Sequence, residues 1–332
     1  MRFLAIILAA WLVSCASAAW SDPCSFTPQD PSTLPALTGR VVYEDTVGGG
    51  LYLYDFGNSS LTTVPIASWG LSAATNPVFS PDGSAILFSA VVSDQRHLFY
   101  WTIGSAQPTN ITGGMGNLRN EDPKFAPDGF HIVWKQNFGI ETASFSFDDL
   151  GQPILFNLQQ LAANPPEASG PVYSPTQKYI YYFIGSSTQI KQIQRYDVAA
   201  KTTAPAFTQD PSVQYYYPVD PDLYDFIYVS WLPTAVACPM CDKIYVRAKL
   251  PDAGTAWNAT DCAADNSDPA PVNEDYFIYS RRASGSSLYN LYIGQFSTGN
   301  AWILPPDANI SGGSLVGANY TEARSYTNTP AN

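Results

Sequence analysis

The sequence predicts an all-β fold, a six-bladed β-propeller of four-stranded antiparallel blades whose C-terminal strand completes the first blade. Three observations predict it: a motif that recurs about every 47 residues, two strand-like segments after each copy, and an aromatic-rich composition. Of the 332 residues, 14% are aromatic and 13% are charged, which suits short half-buried strands better than helices. A fixed period of this length indicates a radial array of sheets, because one unit cannot bury its apolar face alone.

The recurring motif contains two prolines and often ends in Asp-Gly. Clean copies occupy Asn76–Gly83 and Asp122–Gly129, a partial copy occupies Gly170–Pro175, and degraded copies begin at Tyr217 and Ala270. Proline presets φ for a tight turn, aspartate can bond its own backbone, and glycine adopts the conformation that costs other residues. Each motif is therefore predicted to turn the chain from an inner strand to the next strand outward.

Two apolar strands follow each copy of the motif. The predicted pairs are 85–88 and 97–101, 131–134 and 143–147, 179–183 and 190–196, 226–229 and 244–246, and 276–279 and 288–293. Strands at 40–43 and 51–55 precede the first copy, but no inner strand stands before them. Residues 317–321 resemble an inner strand with nothing after it, so we expect them to complete the first blade. Such closure would remove exposed strand edges.

The N-terminal residues have the order of a secretory signal peptide: Arg2, an apolar run from Phe3 to Val13, and then small residues. We expect cleavage after Ala18 or Ala19. The apolar run is well below the ~20 residues that span a bilayer. The predicted organisation is therefore a signal peptide at 1–19, an N-terminal extension at 20–35, a propeller at 36–322 and a flexible tail at 323–332, in a secreted monomer.

The charge balance bears on partners. The formal net charge is −12, which repels nucleic acid and anionic membranes and also keeps a protein soluble. We expect neither nucleic acid nor membrane as a partner, and no cofactor.

The cysteines and sequons are typical of a secreted glycoprotein. Four cysteines outside the predicted leader are expected to form two disulfides, with three possible connectivities: Cys24, Cys238, Cys241 and Cys262. Redox and zinc motifs are the alternatives for the Cys238–Cys241 pair, but the βαβ context and further zinc ligands that they need are missing. Glycosylation is predicted at Asn58, Asn110, Asn258 and Asn309. A fifth sequon, Asn319, falls on the predicted closing strand, where burial would prevent modification.

The Pro-x-Phe-Ser-Pro-Asp-Gly motif with its following Ile-x-Phe strand resembles the TolB-like six-bladed β-propeller repeat, here in a secreted eukaryotic protein. The likeness is clean in 76–88 and 122–134 and extends over 36 to about 322 at the level of period. That repeat occurs in scaffolding proteins, polysaccharide lyases and the non-catalytic domains of serine peptidases, so it implies a fold rather than an activity. The peptidase branch is rejected, because the chain has neither a Gly-x-Ser-x-Gly motif nor residues for an α/β domain.

The resemblance implies a ligand site at the end of the channel formed by loops leading into inner strands and loops between second and third strands. Aromatic faces, carboxylates and guanidinium groups are predicted there, as a sugar or peptide ligand needs. The predicted ligand-binding residues are Asn76, Arg96, Arg119, Glu121, Asp122, Tyr216, Tyr217, Trp231, Arg281 and Arg282. For any one of them, a solvated or inward-packed structural role is the alternative.

The function indicated is a binding or scaffold module for carbohydrate or extracellular protein. The alternative is a carbohydrate-active enzyme of the polysaccharide lyase type, for which His97, Arg119 and Tyr216 are the candidate catalytic residues. Convergence of these three side chains would favour the enzyme. No metal site is expected, because aspartates at 220–225 and 261–268 lack a calcium-loop pattern and are more typical of turns.

Overall fold

The computed structural model describes residues 27–45, 50–116, 118–162, 166–186, 189–219, 225–231, 241–248, 257–258, 260, 264–272, 275–283, 286 and 289–304. These residues form 24 strands in six sheets, and within each sheet the strands follow one another in chain order, except that the first strand of the chain joins the last sheet. Among them, no helix has the length and hydrophobicity needed to cross a membrane.

The first three sheets follow a short N-terminal strand, β1 (Thr27–Pro28), and a 3-10 helix, Pro31–Thr33. The first sheet contains β2 (Arg40–Asp45), β3 (Gly50–Asp55) and β4 (Ser60–Val64), and the 3-10 helix Ile66–Trp69 follows it. The second contains β5 (Ser72–Phe79), β6 (Ala85–Val92), β7 (Gln95–Thr102) and β8 (Thr109–Asn110). The third contains β9 (Asn120–Phe125), β10 (His131–Gln136), β11 (Gly139–Phe147) and β12 (Pro153–Ala162).

The remaining three sheets repeat the same meander. The fourth contains β13 (Ala168–Tyr173), β14 (Tyr179–Ile184), β15 (Gln192–Asp197) and β16 (Thr202–Pro205). The fifth contains β17 (Gln214–Val219), β18 (Asp225–Trp231), β19 (Asp242–Ala248) and β20 (Trp257–Asn258). The sixth contains β21 (Ala264–Pro271), β22 (Tyr276–Ala283), β23 (Asn290–Gln295) and β24 (Asn300–Ile303).

Buried apolar clusters join each sheet to the next around a closed ring. One cluster, which contains Val42 and Ile86, joins the first and second sheets. The next two join the second to the third sheet (Leu87 and Trp134) and the third to the fourth (Val133 and Tyr173). The last two join the fourth to sixth sheets (Phe183, Ile244 and Phe277) and the sixth to the first (Ile293 and Tyr43). Each sheet therefore buries its apolar faces against its neighbours, as the repeat period predicts.

The predicted set of six four-stranded blades is wrong in one respect. Among the described residues, the second to sixth sheets each contain a meander of four strands, to which the sixth adds β1, whereas the first has three, β2 to β4. The strand predicted to complete it, 317–321, lies outside the described residues, so closure by that strand stays a prediction. We therefore draw no structural conclusion about residues Gly317 to Thr321 or about the predicted tail after them.

The N-terminal extension contributes to the sixth sheet. Strand β1 pairs in parallel with β24, with Thr27 opposite Asn300 and Pro28 opposite Ala301. Backbone hydrogen bonds join Thr27 N to Gly299 O (2.9 Å) and Gln29 N to Ala301 O (2.7 Å). The segment before the first sheet therefore attaches to the last sheet, a contact that the sequence did not predict.

The motif turns have the predicted conformation. In the second sheet, Gly83 N donates to Ser80 O at 2.8 Å, and Asp82 Oδ1 accepts from Ser84 N at 3.1 Å. The equivalent third-sheet bond runs from Gly129 N to Ala126 O at 3.0 Å. Gly83 and Gly129 have φ values of 70° and 73°, in the left-handed region that favours glycine. The motif therefore joins an inner strand to the next strand outward.

The sixth motif copy begins two residues earlier than predicted. Val272 N donates to Tyr276 O, as Ser80 N donates to Ala85 O in the second sheet, so Val272 corresponds to Ser80. Asp268 and Pro269 then correspond to Asn76 and Pro77. The prediction aligned Pro271 with Pro77, because the second proline of Asp-Pro-Ala-Pro was taken for the first.

Glu44 of β2 lies against the inner strand of the second sheet. Its carboxylate accepts a hydrogen bond from Asn76 N, and the residue is 2% exposed. Burial raises the pKa of Glu44 to about 8; Asp268 and Asp122 add to the rise, while the bond from Asn76 opposes it. A proton thus stays on this side chain at neutral pH.

Replacing Glu44 with glutamine should make stability less dependent on pH. The unfolded chain releases the Glu44 proton near pH 4.5, whereas the folded chain holds it to about pH 8, so wild-type stability falls between these values. Glutamine keeps the acceptor oxygen but does not ionise. Relative to wild type, Glu44→Gln should gain on the order of a few kcal/mol at pH 8.5 and little at pH 5. Urea unfolding across this range measures the difference.

The exposed Asp149→Asn substitution controls for the loss of one negative charge. A stability difference between Glu44→Gln and wild type that stays constant from pH 5 to pH 8.5 would contradict the raised pKa.

Glycine at position 177 should stabilise the fold. Gln177 occupies the turn position held by Gly83 and Gly129 in the preceding sheets, and its φ is 58°. The left-handed conformation costs a residue with a Cβ atom, so Gln177→Gly should raise the free energy of unfolding by about 0.5–1 kcal/mol. The matched control, Gly129→Ala, should lower it by about 1 kcal/mol. Denaturant midpoints measure both, and destabilisation by Gln177→Gly would be the contrary result.

Candidate ligand-binding site at the channel mouth

Each inner strand of the second to sixth sheets is interrupted at the same place. A residue with positive φ stands directly before a proline, and the strand pairing shifts register there. These residues are Asn76, Asp122, Gly170, Tyr217 and Asp268, with φ values of 52°, 51°, 62°, 43° and 53°. Glycine adopts this conformation freely and Asn and Asp tolerate it, whereas it is uncommon for tyrosine. The bulges redirect side chains at the ring axis.

The bulge residues surround a narrow part of the channel. The space between them is about 50 Å³ and is lined by Asn76, Asp122, Lys124, Gly170, Pro171, Tyr217, Pro218, Val219, Asp268 and Pro269. A few water molecules fill such a volume, and a sugar ring does not fit. Three predicted ligand-binding residues, Asn76, Asp122 and Tyr217, therefore lie at this constriction.

The constriction carries little net charge at neutral pH. Lys124 Nζ lies 2.9 Å from Asp122 Oδ1. Burial raises the pKa of Asp268 to about 8, and the neighbouring Asp242 contributes to the rise. Protons on Asp268 and Glu44 remove two of the negative charges, so the constriction attracts cations weakly.

A cluster of two arginines and a glutamate lies at the end of the channel where the inner strands begin, which we call the mouth. Arg96 Nε and Arg119 Nη2 both approach Glu121 Oε1, at 3.3 Å and 2.7 Å. Arg96 also donates to Ala73 O at 2.9 Å and to Thr75 Oγ1 at 3.1 Å. The sequence predicted Arg96, Arg119 and Glu121 as ligand-binding residues, and the structure brings these three together.

An open cavity of about 590 Å³ adjoins this cluster. Its lining combines the turn between β6 and β7 with the segment that leads into β9: Val91, Ser93, Asp94, Gln95, Arg96, Leu118 and Arg119. The Arg119 side chain is 65% exposed, whereas Arg96 and Glu121 are 14% and 16% exposed. Arg119 is thus free to reach a ligand while Glu121 keeps its guanidinium group in place.

A second polar network lies at the mouth between the fifth and sixth sheets. Tyr216 Oη donates to Asp242, and Asp242 N donates to Asp265 Oδ1 at 2.7 Å. Arg282 Nη2 donates to Asp265 Oδ2 at 2.6 Å, and Tyr289 Oη donates to the same oxygen. Burial raises the pKa of Asp242 to about 6, against the lowering effect of the Tyr216 hydroxyl. Tyr216 and Arg282 were predicted as ligand-binding residues, and here they hold two aspartates.

Lys191 covers Tyr216 in this network. Its Nζ lies 4.3 Å from the centre of the Tyr216 ring and 5.7 Å from that of Phe183. Burial lowers the pKa of Lys191. With 7% exposure, Tyr216 lies under the lysine and presents little surface to a ligand.

The three candidate catalytic residues lie in separate contacts. His97 is 5% exposed, and its Nδ1 lies 3.3 Å from Thr112 Oγ1. Arg119 pairs with Glu121, and Tyr216 bonds to Asp242. Successive strand residues face opposite sides of a sheet, so His97 faces away from Arg96 and the mouth cavity. This arrangement gives no support to a shared site for proton abstraction.

The other two predicted ligand residues have different surroundings. The Arg281 guanidinium lies 5.1 Å from the centre of the Tyr292 ring, on the strand face opposite Arg282. For Trp231 only the backbone is described, which pairs with Gln214 and Asp242.

Several residues of the site were not predicted from the sequence. Asp265 and Asp268 were taken as turn formers, but both lie on β21. The two-residue misalignment of the sixth motif hid the match between Asp268 and Asn76, which was the signal that could have found it. Glu44, Lys191 and Asp242 carry no local motif. Their placement depends on the packing of neighbouring sheets.

Groups of acidic side chains do not make a metal centre in the described part of the chain. Within it, no three or more His, Cys, Asp or Glu side chains are placed to hold a metal ion.

The fold is similar to that of several solved propellers. TolB from Acinetobacter baumannii has a TM-score of 0.61 and 17% identity, over 86% of this chain and 67% of that chain. A putative TolB from Agrobacterium tumefaciens has a TM-score of 0.59 and 14% identity, over 87% and 95%. A chain of a nidogen/laminin complex has a TM-score of 0.56 and 10% identity, over 85% and 99%.

No protein-family model matches the sequence, and no curated protein matches it. Identities of this size show the fold alone. The chain therefore has the fold of TolB-like β-propellers.

Proposed function

We propose that this protein is a secreted, N-glycosylated binding module that holds a carbohydrate or an extracellular protein at the channel mouth. The observation that carries the proposal is the open cavity of about 590 Å³ beside Arg96 and Arg119. A cavity of this size lies within the usual range for ligand sites. The constriction of the channel is too narrow for a sugar ring, so a ligand of that size stays at the mouth.

The cavity favours a ligand with a carboxylate and neighbouring hydrogen-bonding groups. Arg119 is bound on one side to Glu121 and leaves its remaining N–H groups towards the cavity. Guanidinium groups bind carboxylates through paired, charge-assisted hydrogen bonds. Ser93, Asp94 and Gln95 supply hydroxyl, carboxylate and amide groups alongside. Acidic peptides and acidic sugars share this chemistry.

By analogy, the fold comparison supports an extracellular protein as the ligand. One neighbour of similar fold was solved in a nidogen/laminin complex, and so as part of an assembly of proteins. Of the described residues that line the mouth cavity, none supplies the aromatic surface expected for sugar stacking.

Secretion, glycosylation and disulfide bonding are parts of the same proposal. The apolar leader supports secretion, and the exposure of Asn58 in the turn before β4 supports its accessibility to glycosylation. Asn110 is half-buried on β8, and Asn309 lies outside the described residues, as does the side chain of Asn258. The proposal places buried Cys241 in a disulfide, and it includes the connectivity too, since Cys24, Cys238 and Cys262 lie outside the described residues.

Arg119→Ala should weaken ligand binding about tenfold or more, because the exposed guanidinium is the proposed anchor for a ligand carboxylate. The protein is screened on a glycan array and against immobilised extracellular proteins, and the affinity for each hit is then measured for wild type and variant. Lys201→Ala removes an exposed cation at the opposite end of the ring and should leave the affinity unchanged.

Uronic-acid polymers among the hits are also assayed by ultraviolet absorbance for unsaturated products. Binding without product supports the module. Equal affinity of Arg119→Ala and wild type, or product formation, would contradict the proposal.

Full-length protein expressed in a eukaryotic host should appear in the medium with residue 19 or 20 at its N-terminus and with glycan on Asn58. Intact-mass and peptide mass spectrometry before and after enzymatic deglycosylation measure both. Asn58→Gln should remove one glycan unit from the mass. Retention of the leader, or the same glycan mass for Asn58→Gln and wild type, would be the contrary outcome.

A further inference from the structure

Strand β12 differs from the outer strands of the other sheets. It has ten residues, whereas β4, β8, β16, β20 and β24 have five, two, four, two and four. Among the described residues it is hydrogen-bonded to β11 on one side and to no strand on the other. An edge strand of this length presents a row of backbone N–H and C=O groups with which another chain can pair.

Exposed apolar side chains are concentrated in the sheet that contains β12, and five of them lie on β11, β12 and the turn between them. Of the ten exposed large hydrophobic residues in the described part of the chain, seven belong to the third sheet and its turns: Phe130, Phe138, Phe147, Leu150, Ile154, Phe156 and Leu158. Leu150 is 84% exposed and Leu158 is 51% exposed. Apolar surface gathered in one place on a protein marks an interaction site more often than scattered single residues do.

The register gives this edge an apolar face. Ile154 pairs with Ser146 and Phe156 pairs with Ser144, so the two apolar side chains lie on one face of the strand. Thr142, on the same face of β11, bonds to Tyr173 of the fourth sheet, which shows that this face looks towards the fourth sheet. A strand added outside β12 would continue the face with its own alternate side chains.

Charge argues against a second copy of this chain as the occupant. No residue from Pro153 to Ala162 is charged, but Asp148 and Asp149 precede the strand and Glu167 follows it. Glu167 pairs with Lys135 of β10, two strands inward, so the acidic groups beside the edge are Asp148 and Asp149. Pairing of two copies would bring these groups and two molecules of net charge −12 together.

We infer that β12 is a docking edge for an extended segment of another protein, apolar at alternate positions and flanked by lysine or arginine. The segment adds a strand outside β12, places its apolar side chains beside Ile154 and Phe156, and sets a basic end near Asp148 and Asp149. Asn157, with φ of 53°, shifts the register after Phe156. A bulge limits how far regular pairing runs along an edge, so a short segment of about five residues fits.

The docking edge is tested with a fluorescent peptide, Lys-Lys-Val-Thr-Val-Thr-Val-Lys-Lys, added to the full-length protein. Wild type should bind it, and Phe156→Lys should bind about tenfold more weakly or worse, because the substitution puts a cation on the apolar face. Leu61→Lys is the matched control, since Leu61 is 40% exposed on the outer strand β4 of the first sheet, and its affinity should stay within about twofold of wild type.

Two further peptides test the mode of binding. Proline in place of the central valine removes a backbone donor and should abolish binding. Glutamate in place of the four lysines should weaken it about tenfold at low salt, with a smaller difference at high salt. Hydrogen exchange of wild type with the lysine peptide should slow at residues 153–162 and stay unchanged at 60–64. Melting temperatures of both variants confirm that they fold.

Four results would overturn the inference. They are no binding of the lysine peptide, equal losses for Phe156→Lys and Leu61→Lys, and a wild-type dimer in sedimentation that Phe156→Lys makes monomeric, which would assign the edge to a second copy. The fourth is slow exchange at 153–162 before any peptide is added, together with no peptide binding, which would assign the edge to another part of this chain.

Discussion

Sheet-on-sheet burial around a closed ring is the constraint on which every other feature depends. Leu87 and Trp134 are fully buried between the second and third sheets, and Ile293 and Tyr43 are buried between the last and the first. Since each sheet has its apolar faces covered only by its neighbours, none is stable as an isolated unit. The relative positions of the mouth residues are therefore set by side chains that never contact a ligand.

The bulges that precede the prolines narrow the central channel of this ring. In five sheets the residue before the proline is left-handed, and the side chains at these positions meet near the centre. Asn, Asp and Gly accept that conformation readily, whereas Tyr217 holds it at φ 43° with its ring in edge contact with Phe183. Strain at a tyrosine persists only where the surroundings fix it. The constriction is thus a product of the backbone as much as of side-chain size.

Sequence reasoning found the fold through features that are local in the chain. The turns at Gly83 and Gly129 and the strand pairs after them follow from residue types at fixed spacing, and the structure confirms them. The placement of Arg96, Arg119 and Glu121 at the mouth was predicted from the resemblance to the TolB-like repeat, which implies a site at the loops of this end. Contacts between distant segments were missed, such as β1 on β24 and Glu44 on Asn76, because no local pattern encodes them. The burial of Tyr216 beneath Lys191 was missed for the same reason.

The pairing of β1 with β24 determines which sheet bears a force applied to the N-terminal segment. Two residue pairs in parallel register tie the segment before the first sheet to the rim of the last. Tension applied through the N-terminal side of the chain is therefore carried into the sixth sheet at Asn300 and Ala301 before it reaches Arg40. The hydrogen bonds between β1 and β24 therefore carry the load before those between β2 and β3 do.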